Sequence, residues 1–174
     1  LVGRVSGATE IRECGVSGSV STSSSSALYV GGLVGYVYEK TTVDGCYGAA
    51  SVTGGSYSNG KVGGLIGYTY SAADVSNCYV TGEVTSKGAA AGALGYFSTS
   101  SSNKVTLTNC YAACDVGGSA SYRYPFAYIY SNYLTATNCL YESGRESNKD
   151  NTQSGITAAS ADELKAAAGT LGDA

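Results

Sequence analysis

The sequence Gly-Gly-Leu-Val-Gly-Tyr at 31–36 recurs as Gly-Gly-Leu-Ile-Gly-Tyr at 63–68, 32 residues later. A looser copy, Ala-Gly-Ala-Leu-Gly-Tyr, occupies 91–96, and a degenerate copy, Pro-Phe-Ala-Tyr-Ile-Tyr, occupies 125–130. Self-similarity at a fixed period of this size is typical of repeat architectures, in which stacked units share one core. The pattern therefore predicts a scaffold or an extended surface rather than a single catalytic pocket.

Five cysteines follow the same period, with separations of 32, 32, 32 and 29 residues. These are Cys14, Cys46, Cys78, Cys110 and Cys139. Residues at even offsets from each cysteine are small or apolar, whereas odd offsets are mostly polar or Tyr. A period of two predicts a half-buried β-strand with its apolar face inward. We therefore expect the five cysteines to form an inward structural ladder, with Cys114 in a neighbouring inward slot that Gly or Ala fills elsewhere.

A unit of about 30 residues with two or three short strands cannot bury its own apolar face, so copies must stack. The sequence therefore predicts an all-β fold: a right-handed parallel β-helix (β-solenoid) of four to five repeats with a short C-terminal helix. A propeller or a sandwich is the alternative. The repeat domain is placed at 1–156, in units of approximately 1–30, 31–62, 63–90, 91–124 and 125–156. Because residue 1 lies inside a motif copy, we expect a piece of a longer protein.

Two local patterns add detail to this fold. Asn77, Asn109 and Asn138 each precede a ladder cysteine, which predicts a stack of side-chain amides that bond along the solenoid axis. Residues 157–174 are predicted to form a short helix and a tail, as an end cap or the start of a linker. A capping box at 160–163 opens the helical stretch 161–168.

Composition limits the possible functions. Charged residues make up 13% of the chain, against roughly 25% in ordinary domains. The net charge of −3 without a basic cluster argues against nucleic-acid partners and anionic membranes. No apolar run approaches the roughly 20 residues that span a bilayer, so this segment is not expected to insert into a membrane. The lack of histidine removes Ser-His-Asp and Cys-His sites and the usual zinc ligands. We expect no cofactor, no metal and no catalytic residue.

The oxidation state of the cysteines is left open by the sequence. Stacked ladder cysteines would have Cβ atoms nearly 5 Å apart, whereas a disulfide prefers about 3.8 Å, which favours buried free thiols. One or two disulfides among Cys110, Cys114 and Cys139, where the spacing breaks, are the alternative. Metal binding is disfavoured because ladder positions do not converge tetrahedrally.

Tyrosine is the candidate binding residue. Tyr47, Tyr79 and Tyr111 each follow a ladder cysteine, so we expect them to face outward as a stacked stripe. Such a stripe is able to stack on sugar rings or on a partner protein. Packing of aromatic rings between neighbouring strands is the alternative explanation. A second column has a facing that the sequence does not decide: Tyr36, Tyr68, Tyr96 and Tyr130.

The glycine motif, followed by a strand that contains Asn-Cys-Tyr, resembles the GLUG repeat. The resemblance covers about 1–145 and is strongest over 31–97, and the stretch 155–172 is similar to the segment that commonly follows the last such repeat. GLUG repeats occur in large secreted and surface-anchored bacterial proteins, including adhesin-like proteins and non-catalytic regions of IgA-specific metallopeptidases. The resemblance implies a place at the bacterial cell surface or outside the cell, but it implies no activity.

Three functions are compatible with these observations. The favoured one is a non-catalytic extracellular module that serves as a spacer or adhesin-like stalk between flanking domains of one polypeptide. The second is a module that binds a glycan or a host or cell-surface protein through the Tyr stripe. The third is a β-helix carbohydrate-active enzyme, but its candidate carboxylates stand at different offsets from the cysteines and form no column. They are Asp44, Asp74 and Asp115.

Overall fold

Short β-strands that repeat turn after turn make up the structure, a computed structural model that describes residues 2–26, 28–98, 100–129 and 132–169. The first turn contains β1 (Val2–Val5), β2 (Thr9–Arg12), β3 (Gly15–Ser21) and β4 (Tyr29–Gly31). The second contains β5 (Val34–Val37), β6 (Thr41–Asp44), β7 (Tyr47–Thr53) and β8 (Lys61–Gly63). The third contains β9 (Ile66–Thr69), β10 (Ala73–Ser76), β11 (Tyr79–Thr85) and β12 (Ala89–Ala91). The remaining elements are β13 (Val105–Thr108), β14 (Tyr111–Gly117), β15 (Tyr122–Tyr124), β16 (Leu134–Thr137), β17 (Cys139–Glu142), β18 (Ile156–Ala159) and α1 (Ala161–Ala168).

Each of these strands pairs in parallel with its equivalent in a neighbouring turn, which produces four sheets along one axis. The first sheet has the order β1-β5-β9, and the second has the order β2-β6-β10-β13-β16. The third is β3-β7-β11-β14-β17-β18, and the fourth is β4-β8-β12-β15. In the second sheet, Thr9 pairs with Thr41, and Thr41 with Ala73, each a step of 32 residues. The predicted parallel β-solenoid with a short C-terminal helix is confirmed.

Alternate residues of the third sheet fill the interior. Val52, Val84 and Val116 are fully buried, as the period of two predicted, and Cys114 is buried beside them. The ladder cysteines of the later turns are also buried: Cys46, Cys78, Cys110 and Cys139. Cys14 keeps the register, since its amide donates to the Cys46 sulfur at 3.4 Å, but its side chain is exposed rather than buried.

The glycine motif forms the corner at which the fourth sheet leads into the first sheet of the next turn. There the Gly64 amide donates to the Gly92 carbonyl oxygen at 2.9 Å. A Cβ atom on Gly64 would overlap that same oxygen, so only glycine lets neighbouring turns approach this closely. Leu65 follows and points into the core, where it is 2% exposed.

The degenerate motif copy makes the same corner without its glycines. Phe126 is fully buried, and its carbonyl accepts from the Ala93 amide at 2.7 Å. No further motif copy stacks on this corner in the described part of the chain. Instead, the Asn151 side chain accepts from the Phe126 and Ala127 amides at 2.9 and 3.2 Å and donates to the Ala127 carbonyl at 2.7 Å. One buried side-chain amide therefore takes the place of the next turn's backbone.

The corner between the second and third sheets contains the asparagine ladder. Asn77, Asn109 and Asn138 have φ values of 53°, 52° and 51°, in the left-handed region that asparagine tolerates better than most residues. Asn109 Nδ2 donates to Asn77 Oδ1 at 3.2 Å, and Asn138 Nδ2 donates to Asn109 Oδ1 at 2.9 Å. These bonds confirm the predicted stack of amides along the axis.

The cysteine that follows this corner also stabilises it. Each ladder thiol donates to the carbonyl two residues earlier, for example Cys78 Sγ to Ser76 O at 3.0 Å. All six cysteines are free thiols in the structure. Hydrogen bonding with the Cys139 and Cys78 thiols, together with burial, raises the pKa of Cys110, and burial raises the pKa of Cys114 to about 12. These two thiols are therefore protonated at neutral pH.

The C-terminal helix α1 packs on the outer face of the third sheet. Its N-cap is Ser160, whose hydroxyl accepts from the Glu163 amide while the Glu163 carboxylate accepts from the Ser160 amide, as the capping box predicted. Leu164 is the buried residue of the helix and contacts Tyr111 and Ala159. The domain boundary expected at 156/157 falls inside β18, because this strand continues the third sheet.

Candidate binding surface

The predicted Tyr stripe on the third sheet is exposed over two turns rather than three. Tyr47 and Tyr79 are 37% and 42% exposed, and their rings lie 5.3 Å apart with planes 8° from parallel. The expectation of an exposed Tyr111 is wrong, because its ring is 4% exposed beneath Leu164 and Ala159. The helix covers the place where a third stacked ring would have met the solvent.

A cleft of about 370 Å³ lies where α1 meets the exposed end of this stripe. Tyr79, Leu164 and Lys165 contribute to its lining, as does Arg145. The Arg145 guanidinium already pairs with the Glu142 carboxylate at 2.9 Å and with the Asp115 carboxylate at 3.2 Å. The cleft therefore offers an apolar, aromatic wall rather than an unpaired guanidinium.

A larger aromatic surface lies where the fourth sheet meets the first sheet. Among the described residues, nine tyrosine rings form a continuous chain of contacts there, which we call the tyrosine band. Its members are Tyr29, Tyr36, Tyr38, Tyr68, Tyr70, Tyr96, Tyr122, Tyr124 and Tyr128. Tyr38, Tyr70 and Tyr122 are 39%, 49% and 47% exposed, and the other six are half-buried. The band extends over more turns than the stripe on the third sheet.

Ring packing across the turns holds the band together. Tyr29 stacks on Tyr68 at 4.3 Å with planes 13° from parallel, and this pair joins the fourth sheet to the first. Along the axis, the Tyr38 and Tyr70 rings lie 5.6 Å apart and 8° from parallel. Packing of aromatic rings between neighbouring strands, the alternative explanation for the repeated tyrosines, therefore applies to the inner members of the band. The outer members remain available to a ligand.

Two cations lie over these rings. The Arg4 guanidinium is 4.4 Å from the centre of the Tyr38 ring, and the Lys61 ammonium is 5.0 Å from the centre of the Tyr96 ring. Both distances are within the range of cation–π attraction. Lys61 is half-buried, and burial lowers the pKa of its ammonium group.

Sequence reasoning found only part of the tyrosine band. It identified the column that contains Tyr36, Tyr68 and Tyr96 without its facing, and Tyr130 lies outside the described residues. A usable signal was present, because Tyr38 and Tyr70 stand two positions after the motif tyrosine and so share its strand face. The fourth-sheet members follow no repeated spacing.

The three candidate carboxylates are not brought together. Asp44 accepts hydrogen bonds from Ser76 Oγ at 2.6 Å and Asn77 Nδ2 at 2.9 Å, and it pairs with Arg12 at 2.9 Å. These partners lower the pKa of Asp44. Asp74 pairs with threonines in both neighbouring strands, and Asp115 lies on the third sheet. Asp44 stabilises the asparagine corner, and the carboxylates form no glycosidase-type pair with one another.

Comparison with known families identifies one turn of the solenoid. Residues 58–85 match the family model of the GLUG motif. The match runs from just before β8 to the end of β11, so it includes a glycine corner, an asparagine corner and Cys78. Neither curated proteins nor solved structures gave a significant match. The described residues contain no helix long and apolar enough to cross a membrane and no cluster of potential metal ligands.

Proposed function

We propose that this chain is a non-catalytic spacer module of a larger bacterial protein at the cell surface or outside the cell, where it acts as an adhesin-like stalk. One observation supports this role above the others: the second and third sheets run without interruption through five and six strands. A solenoid of this kind separates its ends by a distance set by the number of turns, at roughly 4.8 Å a turn. The GLUG motif at 58–85 supports the extracellular part of the proposal, because the repeat occurs in such proteins.

Removal of one complete turn tests the modular part of this proposal. Deletion of residues 61–88 joins Gly60 to Ala89, and Ala89 is the register partner of Lys61 in the neighbouring turn. We expect the shortened chain to fold, with a urea m-value lower by roughly one sixth, since m scales with the surface exposed on unfolding.

The matched control for this experiment removes half a turn, residues 61–74. This deletion shifts the register and should abolish cooperative unfolding. If both deletions unfold the chain, or if both leave it folded, the turn is not the structural unit and the spacer role fails.

Antibody labelling of cells tests the extracellular part. In a bacterium that produces the protein, antibodies against the solenoid should label intact cells or bind the secreted protein. Labelling only after permeabilisation would contradict the proposal.

A binding module is the second candidate, and the two outward tyrosine surfaces favour it. Exposed aromatic groups with polar tips are common at recognition surfaces. For the stripe on the third sheet, the test is a glycan array with the wild-type chain and with Tyr79→Ala. Loss of a signal in the variant would support binding by the stripe, and an unchanged signal would place the binding elsewhere.

A further inference from the structure

Arg4 and Lys61 are set apart from four other unpaired lysines of the described residues by their position over rings of the tyrosine band. Neither forms an ion pair within the described ranges of the chain, whereas three arginines pair with Asp or Glu at 3.2 Å or less. Those paired arginines are Arg12, Arg123 and Arg145. The charges of Arg4 and Lys61 are therefore not neutralised by a described carboxylate, and both lie on the tyrosine band.

The tyrosine band itself also favours a negatively charged ligand. Neighbouring rings such as Tyr68 and Tyr96, 5.5 Å apart and 5° from parallel, partly cover one another's faces. The edge of an aromatic ring carries partial positive charge, and the phenol hydroxyl is a hydrogen-bond donor. Burial and neighbouring phenols raise the pKa of Tyr29 and Tyr36, so these hydroxyls stay protonated. The ionisable groups that act on these two rings are other tyrosines and Arg4, not carboxylates.

The spacing of the two cations suits an extended ligand. Arg4 belongs to the first turn. The Lys61 ammonium lies over Tyr96, which occupies the first-sheet position of the fourth turn. Two to three turns separate them, which is roughly 10–14 Å along the axis at the ordinary strand spacing. The rings between them form a continuous surface with hydroxyl donors.

We propose that the tyrosine band, together with Arg4 and Lys61, binds an acidic polysaccharide that lies along the solenoid axis. Its carboxylate or sulfate groups contact the two cations, and its hydroxyl groups bond to the phenols between them. The inference rests on the binding role given above as the second candidate function, and it names the ligand class and the surface.

The sparse positive charge argues for a polysaccharide over a nucleic acid. Duplex DNA carries one negative charge per roughly 1.7 Å of axis, which requires a dense row of cations. The band has two cations, and the chain has a net charge of −3. A polysaccharide with one acidic group on some of its sugars places fewer charges against the same length of protein.

Calorimetric titration of the full chain tests the proposal. The probes are oligogalacturonate, hyaluronan and heparin oligosaccharides, with a cello-oligosaccharide as the neutral probe and a DNA duplex as the second polyanion. We expect at least one acidic oligosaccharide to bind, with an affinity that falls as salt rises. The double variant Arg4→Gln/Lys61→Gln should bind about tenfold more weakly, since charge-assisted hydrogen bonds are lost.

A matched pair of tyrosine variants locates the site. Tyr38→Phe/Tyr70→Phe removes two hydroxyls from the band and should weaken binding about fivefold, the effect of losing two weak neutral hydrogen bonds. Tyr133→Phe removes the hydroxyl of a tyrosine of similar exposure, 38%, that belongs to neither tyrosine surface, and it should leave the affinity unchanged.

Four results would overturn the inference: no binding of any acidic probe, equal binding of the neutral probe, equal binding of DNA, or no effect of Arg4→Gln/Lys61→Gln. Circular dichroism and urea midpoints show whether each variant is folded. A folded wild-type chain that binds no probe removes this inference and leaves the spacer role intact. The spacer role fails separately, through the one-turn deletion.

Discussion

At Gly64 and at Phe126 the chain makes the same corner between the fourth and first sheets, but the two corners are stabilised differently. The Gly64 corner bonds to the backbone of the next turn, with the Gly92 carbonyl in the space that a Cβ atom would need. The Phe126 corner bonds to the Asn151 side chain. The requirement for glycine thus comes from the turn that stacks on the corner, not from the corner's own conformation. This difference explains why the motif loses its glycines at 125–130.

The largest expected effect is at the interior corner. Gly64→Ala should destabilise the chain by about 3 kcal/mol or more, because a methyl group there overlaps backbone atoms that cannot move independently. Urea unfolding measures the change. Gly3→Ala is the control, since a Cβ atom at Gly3 meets nothing within 4 Å, and it should change stability by less than about 0.5 kcal/mol. Equal stability of Gly64→Ala and Gly3→Ala would show that the stacked turn does not require glycine at the interior corner.

The terminal corner should depend on its side-chain cap. Asn151→Ala removes the partners of two buried amides and one buried carbonyl, and we expect a loss of about 2–3 kcal/mol. Asn148→Ala, on the same segment, removes exposed hydrogen bonds and should cost less than about 1 kcal/mol. The urea midpoints of the two variants measure this difference in stability. A tolerated Asn151→Ala would mean that the last corner needs no cap.

The asparagine corner should show an effect of intermediate size. Its residue type depends on the backbone conformation there, because asparagine tolerates a positive φ. Asn109→Ala should cost about 1–2 kcal/mol, since alanine is strained at φ 52° and both ladder bonds are lost. Asn109→Gly should recover roughly half of this cost, because glycine adopts that φ freely. If Asn109→Gly unfolds at a lower temperature than Asn109→Ala, backbone strain is not the reason that alanine is unfavourable at this corner.

The smallest effect is a pH dependence at the same corner. Hydrogen bonds from Ser76 and Asn77 and the charge of Arg12 lower the pKa of Asp44 in the folded state. The ionised carboxylate therefore contributes stability that is fully present above its unfolded pKa of about 3.9 and is lost as pH falls through the lower folded value. The stability difference between wild type and Asp44→Asn should shrink between about pH 5 and pH 2. A difference independent of pH would show that the charge of Asp44 has no role.

Sequence periodicity was sufficient to predict the turns and their inward-facing columns of residues, because every equivalent residue has the same environment in the next turn. The burial of Val84 and the stacking of Asn109 on Asn77 follow from that rule. Periodicity contains no information on contacts made once. Asn151 lies in the irregular segment between β17 and β18, and the helix that buries Tyr111 occurs once, over the last strands of the third sheet.

The candidate surface shows the same limit. Its first-sheet column was visible as a repeated tyrosine, but Tyr29 and Tyr122 lie in fourth-sheet strands whose partners are Lys61 and Ala89. No repeated tyrosine marks that sheet. The tyrosine band therefore emerges only when the two sheets are brought together at the glycine corner, where Tyr29 stacks on Tyr68.

The cysteine ladder has a consequence for how opening of this solenoid can be followed. Four of the buried thiols, the ladder residues Cys46, Cys78, Cys110 and Cys139, lie in successive turns, so each becomes reactive only when its own turn opens. In a one-dimensional array the turns open with different free energies, and end turns fray first. The alkylation rate of each thiol in the native state therefore gives the local opening free energy of one turn. The ladder cysteines therefore report, turn by turn, from which end the solenoid opens.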